Sequence, residues 1–185
     1  MSLGLKRNIV ELVEHDSEWE KIATQTIQKL WQIFGSAAID IQHIGSTSIV
    51  NIKAKPIIDI AVAVNDFEKF EPLISELEHN GFSYRGWFIF ERITVLNVYE
   101  ELESGDRITT HHIHIVIYNS RDWHEHIIFR DYLNACPSVA KTYETIKTEL
   151  ALKHPYDEDR RNYNDGKNDF IKQTLKDAVA WLHQS

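Results

Sequence analysis

Residues 41–64 read IQHIGSTSIVNIKAKPIIDIAVAV, two runs of branched apolar residues around a polar turn. The first run spans Ala38–Ile44, the second Ile57–Val64, and GSTSIVNIKAKP joins them. Short runs rich in Ile and Val, bounded by Gly and Pro, predict strands, because β-branched side chains are stiff at χ1 and pack well on a pleated surface. Alternation then sorts the side chains. Ile39, Ile41 and His43 share one face of the first strand. In the second, Lys55, Ile57, Asp59, Ala61 and Ala63 share one face, and Ile58, Ile60, Val62 and Val64 the other. A carboxylate beside two alanines, backed by a wholly apolar face, predicts a strand packed on one side and open to a cavity on the other.

Helical signals flank this pair. Ser17-Glu18-Trp19-Glu20 fits a capping box, and Trp19, Ile22, Thr26, Ile27, Leu30, Trp31 and Phe34 then make one apolar stripe that ends at Gly35. Pro72 cannot sit in a helix interior, so a helix after the second strand starts near Glu71 and closes at Gly81, with Phe67 and Phe70 packing ahead of it. From Phe82 to Tyr118 the pattern is strand-like, and ELESGD (residues 101–106) reads as a hairpin turn. The last third is helical: Arg121–Leu133, then Val139, Tyr143, Ile146 and Leu150 at helical spacing as far as His154, then a helix with Phe170, Ile171, Leu175, Ala178 and Leu182 inward. With no repeats and no linker, residues 1–185 read as one α+β domain.

The 185 residues carry 28 Asp and Glu against 20 Lys and Arg, a net charge of −8. That balance argues against nucleic acid as a partner, which usually requires a basic surplus. No apolar run reaches the ~18 residues of a membrane span, and no signal-peptide pattern opens the chain. One cysteine, Cys136, cannot close an internal disulfide, which fits a reducing cytoplasm. The Trp87–Phe90 run reads either as core or as a homodimer contact.

Five stretches carry a resemblance: HIGSTS (43–48), AKPIIDI (54–60), THHIHIV (110–116), FRDYL (129–133) and KHPYDEDRRNYNDGK (153–167). Together and in this order they resemble the GrpB family of the nucleotidyltransferase-fold superfamily, over roughly Val10 to Phe170. The resemblance implies a mixed sheet flanked by helices. It also implies that Gly45, Ser46 and Thr47 sit where the superfamily's Gly-Ser turn holds a nucleotide's phosphates, and that a basic-aromatic C-terminal helix closes over the nucleotide. An active superfamily member holds Mg²⁺ with carboxylates at i and i+2 of the second strand; here Asp59 is present, but Ala61 occupies the partner position. Relatives of the family occur fused to dephospho-CoA kinases, which implies a nucleotide-containing ligand or an assisting role.

The residues supply further chemistry of their own. Alternation places His112 and His114 on one face with Thr110. If that strand lies beside the Asp59 strand, two imidazoles and a carboxylate meet, a set suited to Zn²⁺, Mn²⁺ or Fe²⁺ more than Mg²⁺. The same imidazoles could instead bind phosphate or relay a proton, or simply bond to neighbouring strands. Arg160, Tyr163 and Lys167 fall at i, i+3 and i+7, one helical face suited to phosphate and base recognition. Lys55 and Arg130 are further candidates to meet an anion. The expectations are therefore a nucleotide or phosphorylated small molecule as ligand, a divalent metal (Mg, Mn or Zn) as cofactor, and Asp59 and His114 as the reacting groups. Three functions compete: nucleotidyl transfer, a binding module that has lost the chemistry, and a His/Asp metal-dependent hydrolase.

Overall fold

The computed structural model describes residues 3–88 and 93–183. In chain order, the elements are β1 (Leu5–Lys6), α1 (Glu18–Phe34), β2 (Ala38–Ile44), β3 (Ile58–Val64), α2 (Ile74–His79), β4 (Phe82–Phe88), β5 (Ile93–Glu101), β6 (Arg107–Ile117), α3 (Arg121–Ala135), α4 (Pro137–Lys153), α5 (Arg161–Asp165) and α6 (Asn168–Leu182). The strands form one mixed sheet in the order β2-β3-β6-β5-β4, with β1 pairing β6. The β3–β6 pair is parallel and the others are antiparallel. The class is α+β with a C-terminal helical segment, as the sequence implies.

Both faces of β3 are covered, which is why it reads as a nearly unbroken apolar run. On one face, Ile58, Ile60, Val62 and Val64 join Ile113 and Ile115 of β6 under Leu30, Ile33 and Phe34 of α1. On the other, Ala61 and Ala63 pack with Ile44, Val116 and Trp123 of α3. The second face was expected to open to a cavity. In fact both alanines are fully buried, because small side chains let α3 approach closely, and only the Asp59 end remains uncovered.

The turn between β2 and β3 is clamped from the C-terminal side. Asn134 of α3 accepts from Val50 N–H at 3.0 Å and donates to the Ser48 carbonyl at 3.0 Å. Glu144 of α4 accepts from Lys53 N–H at 2.7 Å, and the Lys147 ammonium donates to the Lys53 carbonyl. Lys147 is 1% exposed, and burial pushes its pKa down to about 7. A loop with its backbone groups satisfied by buried side chains has little freedom to move.

Several local expectations are corrected. Ser17 occupies the N-cap position of α1 but is itself helical and makes no side-chain cap; Asp16 Oδ1 accepts from Glu18 N–H instead. Trp31 is 38% exposed, while Ala23 and Ile33 join the buried stripe. Near Pro72 the chain makes two 3₁₀ turns, Phe67–Lys69 and Glu71–Leu73, before α2 begins at Ile74. Leu182 at the end of α6 is exposed. The β5–β6 hairpin forms where expected, with Glu101 opposite Arg107. The side chains of the Trp87–Phe90 run lie outside the described residues.

Candidate functional site

Parallel pairing of β3 with β6 sets Asp59 opposite His112 and Ala61 opposite His114. The Asp59 carboxylate therefore lies between the two imidazoles on the same sheet face. His112 Nδ1 is 3.2 Å from Asp59 Oδ1 and His114 Nε2 is 3.3 Å from the same oxygen. Burial alone would raise the Asp59 pKa, but hydrogen bonds from His112 and His114 outweigh it and hold the carboxyl well below the usual carboxylate range. Burial also lowers His112 despite the neighbouring carboxylate. An imidazole nitrogen within hydrogen-bond reach of an ionised carboxylate must donate to it, which places a proton on His112 Nδ1 and on His114 Nε2.

Gly45 directly follows β2 with φ +71°, a conformation L side chains rarely adopt. A Cβ placed there would lie 2.5 Å from Asp59 Oδ2 and 2.8 Å from Asp59 Cβ. Glycine at 45 thus lets the turn pass directly over the carboxylate. Gly45→Ala is expected to destabilise the fold by about 1–3 kcal/mol, from left-handed strain plus displacement of Asp59. Urea denaturation measures it, and an unchanged midpoint would contradict the close approach.

A cavity of about 680 Å³ opens above this floor. Gly45, Ser46, Lys55, Asp59, His112, His114, Arg160, Tyr163 and Lys167 all line it. Thr47 does not: it is buried beneath, with Oγ1 3.0 Å from His43 Nε2. Arg130 also lies elsewhere, donating to Gln42 Oε1 and the His43 carbonyl, so it ties α3 to β2.

Arg160, Tyr163 and Lys167 reach the cavity by a route other than the expected helical face. Asp159 and Arg160 both have positive φ, α5 begins only at Arg161, and Lys167 stands between α5 and α6. Asp157 secures this break by accepting from Tyr163 N–H and Asn162 Nδ2, each at 2.8 Å. The left-handed Arg160 turns its guanidinium onto the N-terminal segment, donating to the Ile9 and Lys6 carbonyls. Tyr163 is only 1% exposed, and the Lys55 and Lys167 ammoniums sit 4.9 and 4.3 Å from its ring centroid. The ring therefore orders two lysines and offers no open face on which a base could stack. Burial, reinforced by Lys167 and Arg160, pushes Lys55 down to about 7; burial takes Lys167 to about 8.

Sequence reasoning missed Arg7, Arg85 and Arg107, which complete the cationic lining. Arg7 lies in the turn after β1, Arg85 in β4 and Arg107 at the start of β6; no local motif marks them, and only the tertiary fold brings them together. Arg7 pairs with Asp159 at 2.8 Å at the exposed rim.

The metal expectation does not fit these residues. Ala61 supplies no second carboxylate, and Asp59 Oδ1 already accepts from both imidazoles. Among the described residues, no group of three His, Cys, Asp or Glu side chains could hold a metal ion.

The family model described as GrpB protein matches residues 9–177. The chain is 38% identical to the glutamate-rich protein GrpB of Alkalihalophilus pseudofirmus, over 95% of this chain and 99% of that one. It is 33% identical to the UPF0157 protein YqkA of Bacillus subtilis, covering 93% of this chain but only 48% of YqkA. The crystal structure of the conserved protein GrpB from Enterococcus faecalis superposes with a TM-score of 0.80 at 34% identity, covering 93% of this chain and 99% of that one. More remotely, the Cid1 poly(U) polymerase solved with MgGTP bound has a TM-score of 0.46 at 13% identity over 75% of this chain and 46% of that one, a likeness too low to carry an argument. On the extent of the family match and the identity to these relatives, the chain belongs to the GrpB protein family.

Proposed function

We propose that the cavity binds a phosphorylated small molecule, a nucleotide among the candidates, through a cationic wall. One observation carries this reading. Among the described residues, six basic side chains (Arg7, Lys55, Arg85, Arg107, Arg160 and Lys167) converge on a cavity with two carboxylates, Asp59 and Asp159, in a chain of net charge −8. Concentrating positive charge in a concave, partly desolvated site against the overall balance raises the local concentration of anions. The volume of about 680 Å³ suits a ligand of that size.

The missing partner carboxylate at Ala61 and the hydrogen-bonded state of Asp59 favour binding over metal-dependent nucleotidyl transfer or hydrolysis. Asp59 with His112 and His114 then acts as a polar floor beneath the ligand. A cytoplasmic setting fits this reading, since nucleotides and sugar phosphates abound there. Among the described residues, no helix is long and apolar enough to cross a membrane.

Thermal shift with pyrophosphate, ATP and CoA, each with and without Mg²⁺, tests the reading. Ligand at 100 times its dissociation constant adds about 2.7 kcal/mol of stability, a shift of several degrees. Lys167→Ala is expected to weaken binding about tenfold or more, since it removes a partly desolvated charge-assisted contact. Absence of a shift with every phosphate would overturn the proposal.

A further inference from the structure

The wall contains two amines as well as guanidinium groups, and the amines are not equivalent. Lys6, Lys21, Lys53 and Lys141 each pair with a carboxylate, whereas Lys55 forms no ion pair among the described residues. Lys167 donates to Asn164 Oδ1 at 3.3 Å, which supports its charged form. Lys55 faces Lys167, Arg160 and Tyr163 from the C-terminal segment and Lys147 from α4, and the charge set against these cations is Asp59, with the His112 imidazole beside it. Two ammoniums sharing the Tyr163 ring disfavour each other, and the less supported one gives up its proton first. A desolvated lysine next to a second cation is an activated nucleophile toward carbonyl carbon.

From this arrangement we propose that Lys55 forms an imine with an aldehyde or ketone that carries a phosphate, the phosphate resting on the cavity's arginines. The Lys55 nitrogen lone pair attacks the carbonyl carbon as the C=O π bond breaks, and the oxygen gains a proton from the Lys167 ammonium. The resulting carbinolamine loses its hydroxyl as water, using one further proton, and both protons are balanced by the two released from the Lys55 nitrogen. Amine plus carbonyl thus gives imine plus water, with no oxidant or reductant. Burial lowers Lys55 to about 7, so most of its population is the free amine slightly above neutral pH. An arginine keeps its charge throughout and so retains the phosphate while the amine reacts. The ligand's anionic group rests on the phosphate-binding reading; the reactivity of the amine does not.

The test incubates the whole protein with pyridoxal 5′-phosphate at pH 7.5, reduces with cyanoborohydride and maps the adducts by mass spectrometry. Lys55 is expected to label about a hundredfold faster than an ordinary solvated lysine, which is almost wholly protonated at this pH. Its labelling is expected to rise with a midpoint near pH 7, to be blocked by pyrophosphate, and to vanish in Lys55→Met. Pyridoxal without the phosphate separates the two claims. Fast Lys55 labelling by both aldehydes, unaffected by pyrophosphate, would keep the nucleophile and sink the phosphate wall. Labelling spread evenly over surface lysines, or preferring Lys167, would overturn the assignment of Lys55, and wild-type competition reads this even if Lys55→Met folds poorly.

Discussion

Affinity for a non-carbonyl phosphomonoester is expected to fall about a hundredfold between roughly pH 6.5 and 9, with the steepest loss above pH 7. In the free protein Lys55 and Lys167 are held down at about 7 and about 8, chiefly by burial. A phosphate dianion favours their protonated forms and raises both pKa values, so binding takes up protons. As pH rises through the free-protein values, those protons must be recruited from a more dilute solution, and affinity drops. The ligand itself does not cause the effect, because its second proton leaves near pH 6. Calorimetry in two buffers of different ionisation enthalpy measures both the affinity and the proton count. Lys55→Met should remove close to one proton from the uptake. A pH-independent affinity with no proton uptake would show that these lysines do not meet the anion.

The second large effect is on stability in acid. Burial pushes His43, His111 and His126 each down to about 4 from an ordinary 6.5. Between those values the unfolded chain binds protons that the folded chain does not. The contribution of these imidazoles is therefore fully present above pH 6.5 and is lost as pH falls toward 4. Each accounts for up to about 3 kcal/mol, an upper figure because the folded state can relax to admit water. His111 is the most enclosed of the three, on the α1 side of β6, with Nε2 3.2 Å from Thr26 Oγ1. Urea midpoints are expected to fall steadily from pH 6.5 to 4, and His111→Gln should flatten that slope. A midpoint unchanged across the window would mean that these rings are already charged, or are solvated, in the native state.

The two effects have opposite signs at low pH, with tighter anion binding and a weaker fold. Their common source is the desolvation of basic groups on both sides of one sheet, lysines at the open end and imidazoles under the helices.

Much of this was legible in residues 41–64. The branched runs became β2 and β3 within one residue, because period-two burial and β-branching leave few alternatives for such segments. Alternation also placed Asp59 with Lys55 on one face of its strand and His112 with His114 on one face of theirs, since the pleat is a property of the backbone itself. Local periodicity reaches no further than its own element. That β6 lies beside β3, so that one carboxylate oxygen meets two imidazoles, depends on which strands pair, and pairing is decided by the whole apolar core. The helical spacing of Arg160, Tyr163 and Lys167 promised one continuous face. Tertiary bonds from Asp157 and the N-terminal segment override that propensity, and the break is what turns Arg160 onto Ile9 and Lys6. Arg7, Arg85 and Arg107 form no shared motif, since they are far apart in sequence, one in a turn and two on separate strands. The sequence alone determined the strands, the faces and the acid at Asp59; only the tertiary structure gathered the basic side chains around it, because electrostatic convergence is a relation between distant residues that no local pattern encodes.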